Sequence, residues 1–166
     1  MIKLPKDIEY IITDFDGVMT DGCIYIPNNS YNYAKKLCFK DIMAISIAIK
    51  NGYRVGIVSG ESCGAIKYVS EKFNLTEVHT NIRNKIEVIK SIIERNNLNP
   101  EKIVYIGDDV NDIETLNFIG YPITVKNAIK SVLELPKIQI TQNEGGNGAF
   151  REVIDALIYW KSLQNY

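Results

Sequence analysis

The chain has 166 residues, of which 46% are hydrophobic and 23% charged, and its 20 acidic side chains nearly balance its 19 basic ones. A chain of this size forms one domain that buries roughly 70% of the surface its unfolded form exposes, without disulfides or a structural metal. The charge balance argues against nucleic-acid or anionic-membrane binding, because both need an excess of basic side chains. The composition also excludes collagen-like, disordered and coiled-coil chains.

The cysteines and the apolar segments of the sequence indicate in which cellular compartment the protein is expected. Cys23, Cys38 and Cys63 lack the spacing of a zinc site, and their odd number argues against a disulfide framework. Reduced thiols are typical of cytosolic proteins. The first residues lack the apolar stretch of a signal peptide, and the longest apolar segment, 42–49, is too short to span a bilayer. We therefore expect a cytoplasmic protein without a membrane segment.

Strand-like and helical segments alternate along the first half of the chain. Two segments around a turn-rich cluster, 23–26 and 33–39, predict a β-hairpin. Asp41 is a candidate N-cap for the helix that follows it. The remaining predictions in this half are strands at 10–15, 54–58 and 77–79 and helices at 42–49 and 64–73.

The second half continues the alternation. Isoleucines recur at helical spacing between residues 85 and 95, which predicts a helix there. The other predictions are strands at 103–106 and 122–125 and helices at 112–119, 128–133 and 150–163. Strands separated by helices favour a doubly wound, Rossmann-like α/β fold with a parallel sheet.

Three of the predicted strands end in residues that carry chemistry. Asp14 and Asp16 follow the first, Ser59 and Gly60 follow another, and 107–109 (Gly-Asp-Asp) follow a third. The carboxyl ends of parallel strands meet at one edge of the sheet, where ligands bind in such folds. We therefore expect one site at this edge.

The acidic residues near this edge predict a metal site. Asp14, Asp16, Asp108, Asp109 and Asp112 would repel one another unless a proton or cation lay among them. Oxygen ligands favour a hard cation, and Mg²⁺ is the natural choice. The structural alternative is that these acids cap helices or lie solvated in loops.

The motifs are similar to those of a known family. The segment 14–20 (DFDGVMT) resembles the D-x-D-G-x-x-T signature of the haloacid dehalogenase superfamily, and Ser59, Lys85 and 107–112 (GDDVND) fall where its later motifs belong. The segments 20–22, 84–85 and 145–152 (GGNGAFRE) resemble one subgroup. That subgroup comprises phosphatases of 3-deoxy-manno-octulosonate 8-phosphate and related nonulosonate 9-phosphates.

The resemblance implies a role for each catalytic position. Asp14 would be the nucleophile that forms an aspartyl phosphate, and Asp16 would protonate the leaving sugar oxygen and later deprotonate water. Ser59 and the Gly60 N–H would bind phosphoryl oxygens, and Lys85 would neutralise their charge. Taken alone, Ser59 is equally a turn hydroxyl and Lys85 a solvated lysine.

The resemblance also implies a ligand set for Mg²⁺. It consists of the Asp14 and Asp108 carboxylates and the Asp16 carbonyl oxygen. Asp109 and Asp112 would orient these ligands from outside. Asp41 either belongs to the edge of the site or caps its helix.

Substrate recognition is expected from three further residues. Glu61, with Lys72 nearby, would contact the hydroxyls and carboxylate of the sugar, and Arg151 would bind the substrate carboxylate in a neighbouring subunit. A solvated glutamate in a first helical turn is the alternative for Glu61. In the subgroup that this chain resembles, octulosonate phosphatases tend to carry arginine at this position and nonulosonate phosphatases glutamate. The resemblance therefore favours a nonulosonate 9-phosphate, such as KDN 9-phosphate or N-acetylneuraminate 9-phosphate, over octulosonate 8-phosphate.

The expected molecule is a single phosphatase domain, 1–166, without a cap domain. Only the hairpin, 23–39, is inserted into it as a small flap, so another element must enclose the acidic sugar phosphate. The resemblance implies that neighbouring subunits of a homotetramer do so. Two alternatives remain: a non-catalytic domain associated with a sugar-nucleotide synthetase, and a phospho-accepting receiver domain. The receiver is disfavoured because receivers carry their phospho-accepting aspartate after a later strand.

Overall fold

The computed structural model of the protein describes residues 2–28 and 32–162. In this part of the chain, six strands form one parallel sheet. They are β1 (Tyr10–Thr13), β2 (Arg54–Val58), β3 (Val78–His79), β4 (Ile103–Ile106), β5 (Tyr121–Thr124) and β6 (Gln139–Ile140). Their order across the sheet is β3-β2-β1-β4-β5-β6, so the chain winds outward in both directions from β1 and β4. The predicted α/β fold is confirmed.

Helices connect the strands. They are α1 (Phe39–Lys50), α2 (Gly64–Phe73), α3 (Lys85–Asn96), α4 (Ile113–Phe118), α5 (Lys130–Leu133) and α6 (Ala149–Ser162). Right-handed crossovers place α1 and α2 on one face of the sheet and α3, α4 and α5 on the other. Packing of α6 on α1 and of α3 on α4 agrees with this arrangement. No helix in the described ranges is long and apolar enough to span a lipid bilayer.

The two central strands are the most deeply buried part of the molecule. Every residue of β1 and β4 is buried, and Ile11, Ile12, Val104 and Ile106 have no exposed surface. Each such aliphatic side chain contributes about 1.5–3 kcal/mol through burial. The ends of these strands are therefore fixed firmly, which matters because the site residues follow directly after them.

The hairpin prediction is only partly reproduced. A single antiparallel bridge joins Tyr25 to Ala34, and residues 29–31 of the predicted turn lie outside the described residues. The predicted second strand extends too far, because Phe39 already begins α1. The Cys38 carbonyl accepts hydrogen bonds from the Asp41 and Ile42 N–H groups, which closes the first helical turn.

Asp41 was a wrong N-cap prediction for α1, because Cys38 occupies that position. The fully buried Asp41 carboxylate instead accepts hydrogen bonds from the backbone N–H groups of Gly148, at 3.0 Å, and Arg151, at 2.9 Å. These two N–H groups lie at the start of α6. Asp41 therefore caps a helix that lies 107 residues further along the chain.

Most of the other predicted elements shift only at their ends. A 3₁₀ turn, Val110–Asp112, precedes α4, which begins one residue later than expected. β6 was not predicted, since its two residues show no recognisable pattern. The predicted end of the last helix, residue 163, lies outside the described residues.

Candidate active site

The ends of β1, β2 and β4 meet around a pocket of about 230 Å³. Seven of the predicted site residues line it, together with three residues that were not predicted. The lining residues are Asp14, Asp16, Gly17, Gly22, Ser59, Gly60, Glu61, Asp108, Asp109 and Asn111. The expectation of one site at the carboxyl edge of the sheet therefore agrees with the structure. Lys85 and Asp112 contact this group from beneath, as described next.

Asp14 is held in place by the sheet and by Lys85. Its N–H donates to the Ile106 carbonyl at 2.8 Å, which continues the pairing of β1 with β4 by one residue. The Lys85 Nζ lies 2.7 Å from Asp14 Oδ2 and 2.8 Å from Asp112 Oδ1, and its side chain has no exposed surface. Burial opposes the charge of this ammonium, but Asp14 and Asp112 raise the pKa of Lys85 above its usual value. Lys85 therefore supplies a fixed positive charge beside Asp14.

Asp112 is fully engaged in hydrogen bonds. Its Oδ1 accepts from the Tyr105 hydroxyl at 2.6 Å and from Lys85, while its Oδ2 accepts from the N–H groups of Asp108 and Asp109. Asp109 and Asp112 also cap the 3₁₀ turn reciprocally. Asp112 thus fixes both Lys85 and the loop that carries Asp108, which supports an orienting role.

The pocket brings several acidic side chains together in a buried place. Burial, followed by the Asp112 carboxylate, raises the pKa of Asp14 to about 7, although Lys85 opposes this shift. Burial and the Asp14 and Asp112 carboxylates raise the pKa of Asp108 to about 8. Ionised carboxylates are unfavourable in such a place unless a cation accompanies them.

The same residues are placed so that they can hold a cation. Carboxylate oxygens of Asp14, Asp108 and Asp112 lie within 4.8 Å of one another. Among the described residues, the buried Asp108 Oδ1 has no hydrogen-bond partner, which leaves it available as a ligand. Gly17, at φ +80°, lets the Asp108 carboxylate pack against its Cα, because a Cβ at this position would overlap it. Since Asp112 is fully hydrogen-bonded, Asp14 and Asp108 are the better candidates for ligands.

Asp16 is held in place by a residue that sequence reasoning missed. The Lys35 Nζ lies 2.6 Å from Asp16 Oδ2, and the Thr20 hydroxyl donates to Asp16 Oδ1 at 3.3 Å. Burial opposes the charge of Lys35, but the contact with Asp16 raises its pKa above the usual value. Lys35 lies on the returning segment of the hairpin, where no motif or periodicity singles it out.

Ser59 and Gly60 follow β2 at the floor of the pocket. The Ser59 N–H donates to the His79 carbonyl at 2.8 Å and its carbonyl accepts from Ile82, so its backbone is fixed. Its Oγ accepts a bond from the Glu61 N–H at 3.3 Å, which leaves the hydroxyl hydrogen free to donate to a ligand oxygen. This geometry suits a phosphoryl contact.

Of the three residues expected to contact the sugar, one lines the acidic pocket and two do not. Glu61 lines the pocket, where its Oε2 accepts from the Tyr33 hydroxyl at 3.4 Å. Lys72 is exposed on α2, donates to the Tyr68 hydroxyl and does not line the pocket. The structure thus joins only Glu61 to the acidic residues of the same chain.

Arg151 lies at a separate, larger pocket of about 510 Å³, which shares no lining residue with the acidic pocket. Its guanidinium Nε donates to Asp155 at 2.7 Å. Within one chain, Arg151 is therefore not part of the acidic site.

The glycine-rich segment before α6 packs on the loop that follows Asp16. The Gly146 N–H donates to the Val18 carbonyl at 2.8 Å. A Cβ on Gly145 would overlap the Gly17 carbonyl, and one on Gly146 would overlap the backbone of Thr20 and Asp21. This segment is therefore in close backbone contact with the site loop of its own chain.

Comparison with known proteins identifies relatives of this arrangement. Residues 76–153 match the family model of haloacid dehalogenase-like hydrolases. The chain is 29% identical over 159 residues to 3-deoxy-D-manno-octulosonate 8-phosphate phosphatase KdsC of Escherichia coli (strain K12). That match covers 95% of this chain and 83% of the relative.

Two solved structures are similar to the whole fold. One is 3-deoxy-D-manno-octulosonate 8-phosphate phosphatase from Yersinia pestis, with a TM-score of 0.88 and 27% identity over 96% of this chain and 85% of the other. The second is a protein of Legionella pneumophila assigned to subfamily III A of the haloacid dehalogenase hydrolases. Its TM-score is 0.89 at 28% identity, over 96% of this chain and 87% of the other.

Proposed function

We propose that the chain is a phosphatase of the haloacid dehalogenase-like type, as its similarity to these relatives supports, and that it hydrolyses the phosphate monoester of an acidic 2-keto-3-deoxy sugar with Asp14 as nucleophile. The observation that carries this proposal is the convergence of Asp14, Lys85 and Asp108 at one edge of the sheet. A phosphoryl group at this position would meet an oxygen nucleophile, a buried cation and a metal site together.

Asp14 attacks the phosphorus through a carboxylate oxygen and forms an aspartyl phosphate. Lys85 offsets the repulsion between this carboxylate and the phosphate dianion, because its ammonium lies 2.7 Å from Asp14 Oδ2. Ser59 Oγ and the Gly60 N–H bind phosphoryl oxygens from the floor of the pocket. These contacts hold the phosphorus in line with the nucleophile.

Asp16 serves the leaving group and then the water. It lies two residues beyond Asp14 at the lip of the pocket, with 27% of its side chain exposed. From there its carboxyl group protonates the departing sugar oxygen and afterwards accepts a proton from the water that hydrolyses the aspartyl phosphate. The Asp14 carboxylate is thereby regenerated.

The donor set fits Mg²⁺, since hard carboxylate and carbonyl oxygens are its preferred ligands. The Asp14 and Asp108 carboxylates and the Asp16 carbonyl would hold the ion, which when bound neutralises phosphoryl charge that Lys85 alone does not. The unpartnered Asp108 Oδ1 is the structural support for this assignment. Asp112 and Asp109 keep the Asp108 loop in place.

Two sugar phosphates of the same class are candidates for the natural substrate. The curated relative in Escherichia coli and the Yersinia pestis structure are both phosphatases of octulosonate 8-phosphate. Glu61 at the pocket supports the other candidate, a nonulosonate 9-phosphate, because its carboxylate can accept hydrogen bonds from the hydroxyl or amide groups of a longer sugar. We favour the nonulosonate and keep octulosonate 8-phosphate as second choice.

The proposal includes a homotetramer of single-domain subunits, with the hairpin of residues 23–39 as flap. Exposed apolar side chains on and beside this hairpin support an interface, since Ile24, Tyr25, Ile26 and Phe39 are 52%, 51%, 62% and 73% exposed. A neighbouring subunit would also bring Arg151 to the substrate carboxylate. The proposal also includes a cytoplasmic location, which the odd number and the spacing of the three cysteines favour.

Phosphate release from a panel of sugar phosphates tests the function. We expect Mg²⁺-dependent turnover of octulosonate 8-phosphate or a nonulosonate 9-phosphate, little turnover of neutral glucose 6-phosphate, and loss of activity with EDTA that added Mg²⁺ restores. Asp14→Asn, which keeps the shape but removes the nucleophile, should lower turnover by roughly 10²-fold or more while leaving the circular dichroism spectrum unchanged. A panel without any metal-dependent turnover of an acidic sugar phosphate would overturn the proposal.

A further inference from the structure

One ion pair at the site belongs to neither the metal ligands nor the phosphate contacts. Lys35 lies on the hairpin, outside the sheet and its helices, yet its Nζ reaches Asp16 Oδ2 at 2.6 Å. Only 6% of its side chain is exposed, which is low for a lysine on an inserted flap. Lys36, the next residue, is 57% exposed and pairs with Asp21 at 3.1 Å. The burial of Lys35 is therefore specific to its position.

Lys35 and Thr20 together hold both oxygens of the Asp16 carboxylate. The Thr20 hydroxyl donates to Oδ1 and also accepts the Gly17 and Gly22 N–H groups, so it is itself fixed by the loop. Without Lys35, the carboxylate would keep one weak contact of 3.3 Å and could rotate about its two side-chain torsions.

The Lys35 ammonium is directed at Asp16, whereas Lys85 is the lysine that contacts the nucleophile Asp14. Lys35 is absent from the residues that line the acidic pocket, whereas Asp16 lines it. The phosphate position already has a buried ammonium in Lys85, which contacts Asp14 and Asp112 rather than Asp16. On its other side, Lys35 Nζ lies 5.6 Å from the centre of the Tyr33 ring, which is also on the hairpin.

We propose that Lys35 is a positioning residue, which holds the Asp16 carboxyl group at the leaving-group side of the pocket and acts on the reaction only through Asp16. This inference rests on the proposed function, because it takes Asp16 as the proton donor to the departing sugar oxygen. A donor contributes to the rate only while it lies within hydrogen-bond reach of that oxygen. The hairpin thereby completes the catalytic geometry of its own subunit.

Leaving groups of different basicity separate this role from a structural one. The sugar alkoxide needs a proton to leave, whereas p-nitrophenolate leaves without one. The comparison uses kcat/KM, which reports the steps through leaving-group departure and excludes hydrolysis of the aspartyl phosphate. We expect Lys35→Met to lower kcat/KM for the best acidic sugar phosphate by roughly 10- to 100-fold, a part of the 10²–10⁴ that a positioned acid supplies. The same variant should change kcat/KM for p-nitrophenyl phosphate less than about 3-fold, the usual context-dependence of such effects.

Matched variants complete the design. Lys35→Arg, which keeps the charge and a donor, should recover a large part of the lost activity, and Lys36→Met should behave as the wild type with both substrates. In the Asp16→Asn background, Lys35→Met should cause no further loss, because its effect passes through Asp16. Thermal melting checks that each variant is folded, and Lys35→Gln replaces Lys35→Met if the latter is not.

Each contrary result has a distinct meaning. If Lys35→Met lowers kcat/KM equally for both substrates, leaves both unchanged, or still lowers it in the Asp16→Asn background, the positioning role is wrong although the phosphatase stands. If the wild-type protein hydrolyses no acidic sugar phosphate, the proposed function itself fails, whatever the variants do.

Discussion

At the scale of single residues, hydrogen bonds distinguish five aspartates that the sequence presents alike. Their positions after predicted strands were sufficient to predict that they gather at one edge. Their division of labour was implied only by family resemblance, since spacing does not tell which oxygens are already bonded. Both Asp112 oxygens are occupied, whereas one Asp108 oxygen is not. Lys35 could not be predicted at all, because its contact with Asp16 depends on how the hairpin folds back.

Glu61 is the residue for which a single substitution is most informative about specificity. Its side chain lies at the pocket and accepts a hydrogen bond from the Tyr33 hydroxyl rather than from a catalytic residue, so a change there should leave the catalytic residues undisturbed. We expect Glu61→Arg to shift the ratio of kcat/KM for nonulosonate 9-phosphate over octulosonate 8-phosphate by about tenfold towards the shorter sugar, which corresponds to about 1.4 kcal/mol. Steady-state kinetics with both substrates measures this ratio.

Lys72→Met serves as a control, because Lys72 does not line the pocket of its own chain. An unchanged ratio in Glu61→Arg would show that Glu61 does not read the sugar. A changed ratio in Lys72→Met would instead indicate that a neighbouring subunit brings this lysine to the substrate.

At the scale of secondary structure, the sequence predicted elements with a clear period and missed those without one. Five of the six strands were anticipated, whereas two-residue β6 has too few residues to show alternation. The cap of α6 by Asp41 was unpredictable for a different reason. The contact joins positions 107 residues apart, and Asp41 stands where a local cap for α1 would also be plausible.

β3 illustrates how an edge element affects the site. It pairs with β2, and its His79 carbonyl accepts a hydrogen bond from the Ser59 N–H, so the position of β3 helps to fix Ser59. The buried Glu77 side chain, just before β3, contacts Arg95 at 2.7 Å, His79 at 2.8 Å and Asn96 at 3.1 Å. These contacts tie the edge of the sheet to α3.

The Glu77 contacts predict a dependence of stability on pH. Burial alone would raise the pKa of Glu77, but hydrogen bonds from His79, Asn96 and Arg95 hold it below the usual value of 4.5. Since the pKa is lower in the folded state, the stabilisation is present above pH 4.5 and is lost as the pH falls through the folded value. We expect Glu77→Gln to lose about 1–2 kcal/mol at neutral pH and to differ less from wild type in acid.

Thermal or urea unfolding at a series of pH values measures this difference. Glu94→Gln is the control, since Glu94 is exposed on α3 and has no ion pair among those of the described residues. A deficit in Glu77→Gln that stays constant down to pH 3 would contradict the charge-based account.

At the scale of the whole molecule, the small size of the chain and the exposed apolar side chains of its hairpin both favour an assembly of several subunits. Two central strands carry the catalytic acids on a fully buried base, while apolar side chains of the flap remain uncovered. The length predicted a domain without a cap. The length could not predict that Lys35 of the flap would contact Asp16 within the same subunit.

The hairpin interface gives a direct test of assembly. If the tetramer forms through these side chains, Ile26→Glu, at a residue 62% exposed, should shift the mass in light scattering to smaller species and lower specific activity. Ile140→Glu is a suitable control, because Ile140 is similarly apolar and 43% exposed but lies on β6. A fully active monomer at assay concentration would overturn the tetramer.

The packing of Gly145 and Gly146 against the loop after Asp16 has a consequence for biosynthesis. Chains grow from the amino terminus, so the nucleophile and its loop emerge from the ribosome long before the glycines that support them. The loop of residues 17–21 acquires its packing surface only after residue 146 has been added. The loop that follows Asp16 is therefore fully packed only in a chain that extends at least to residue 146.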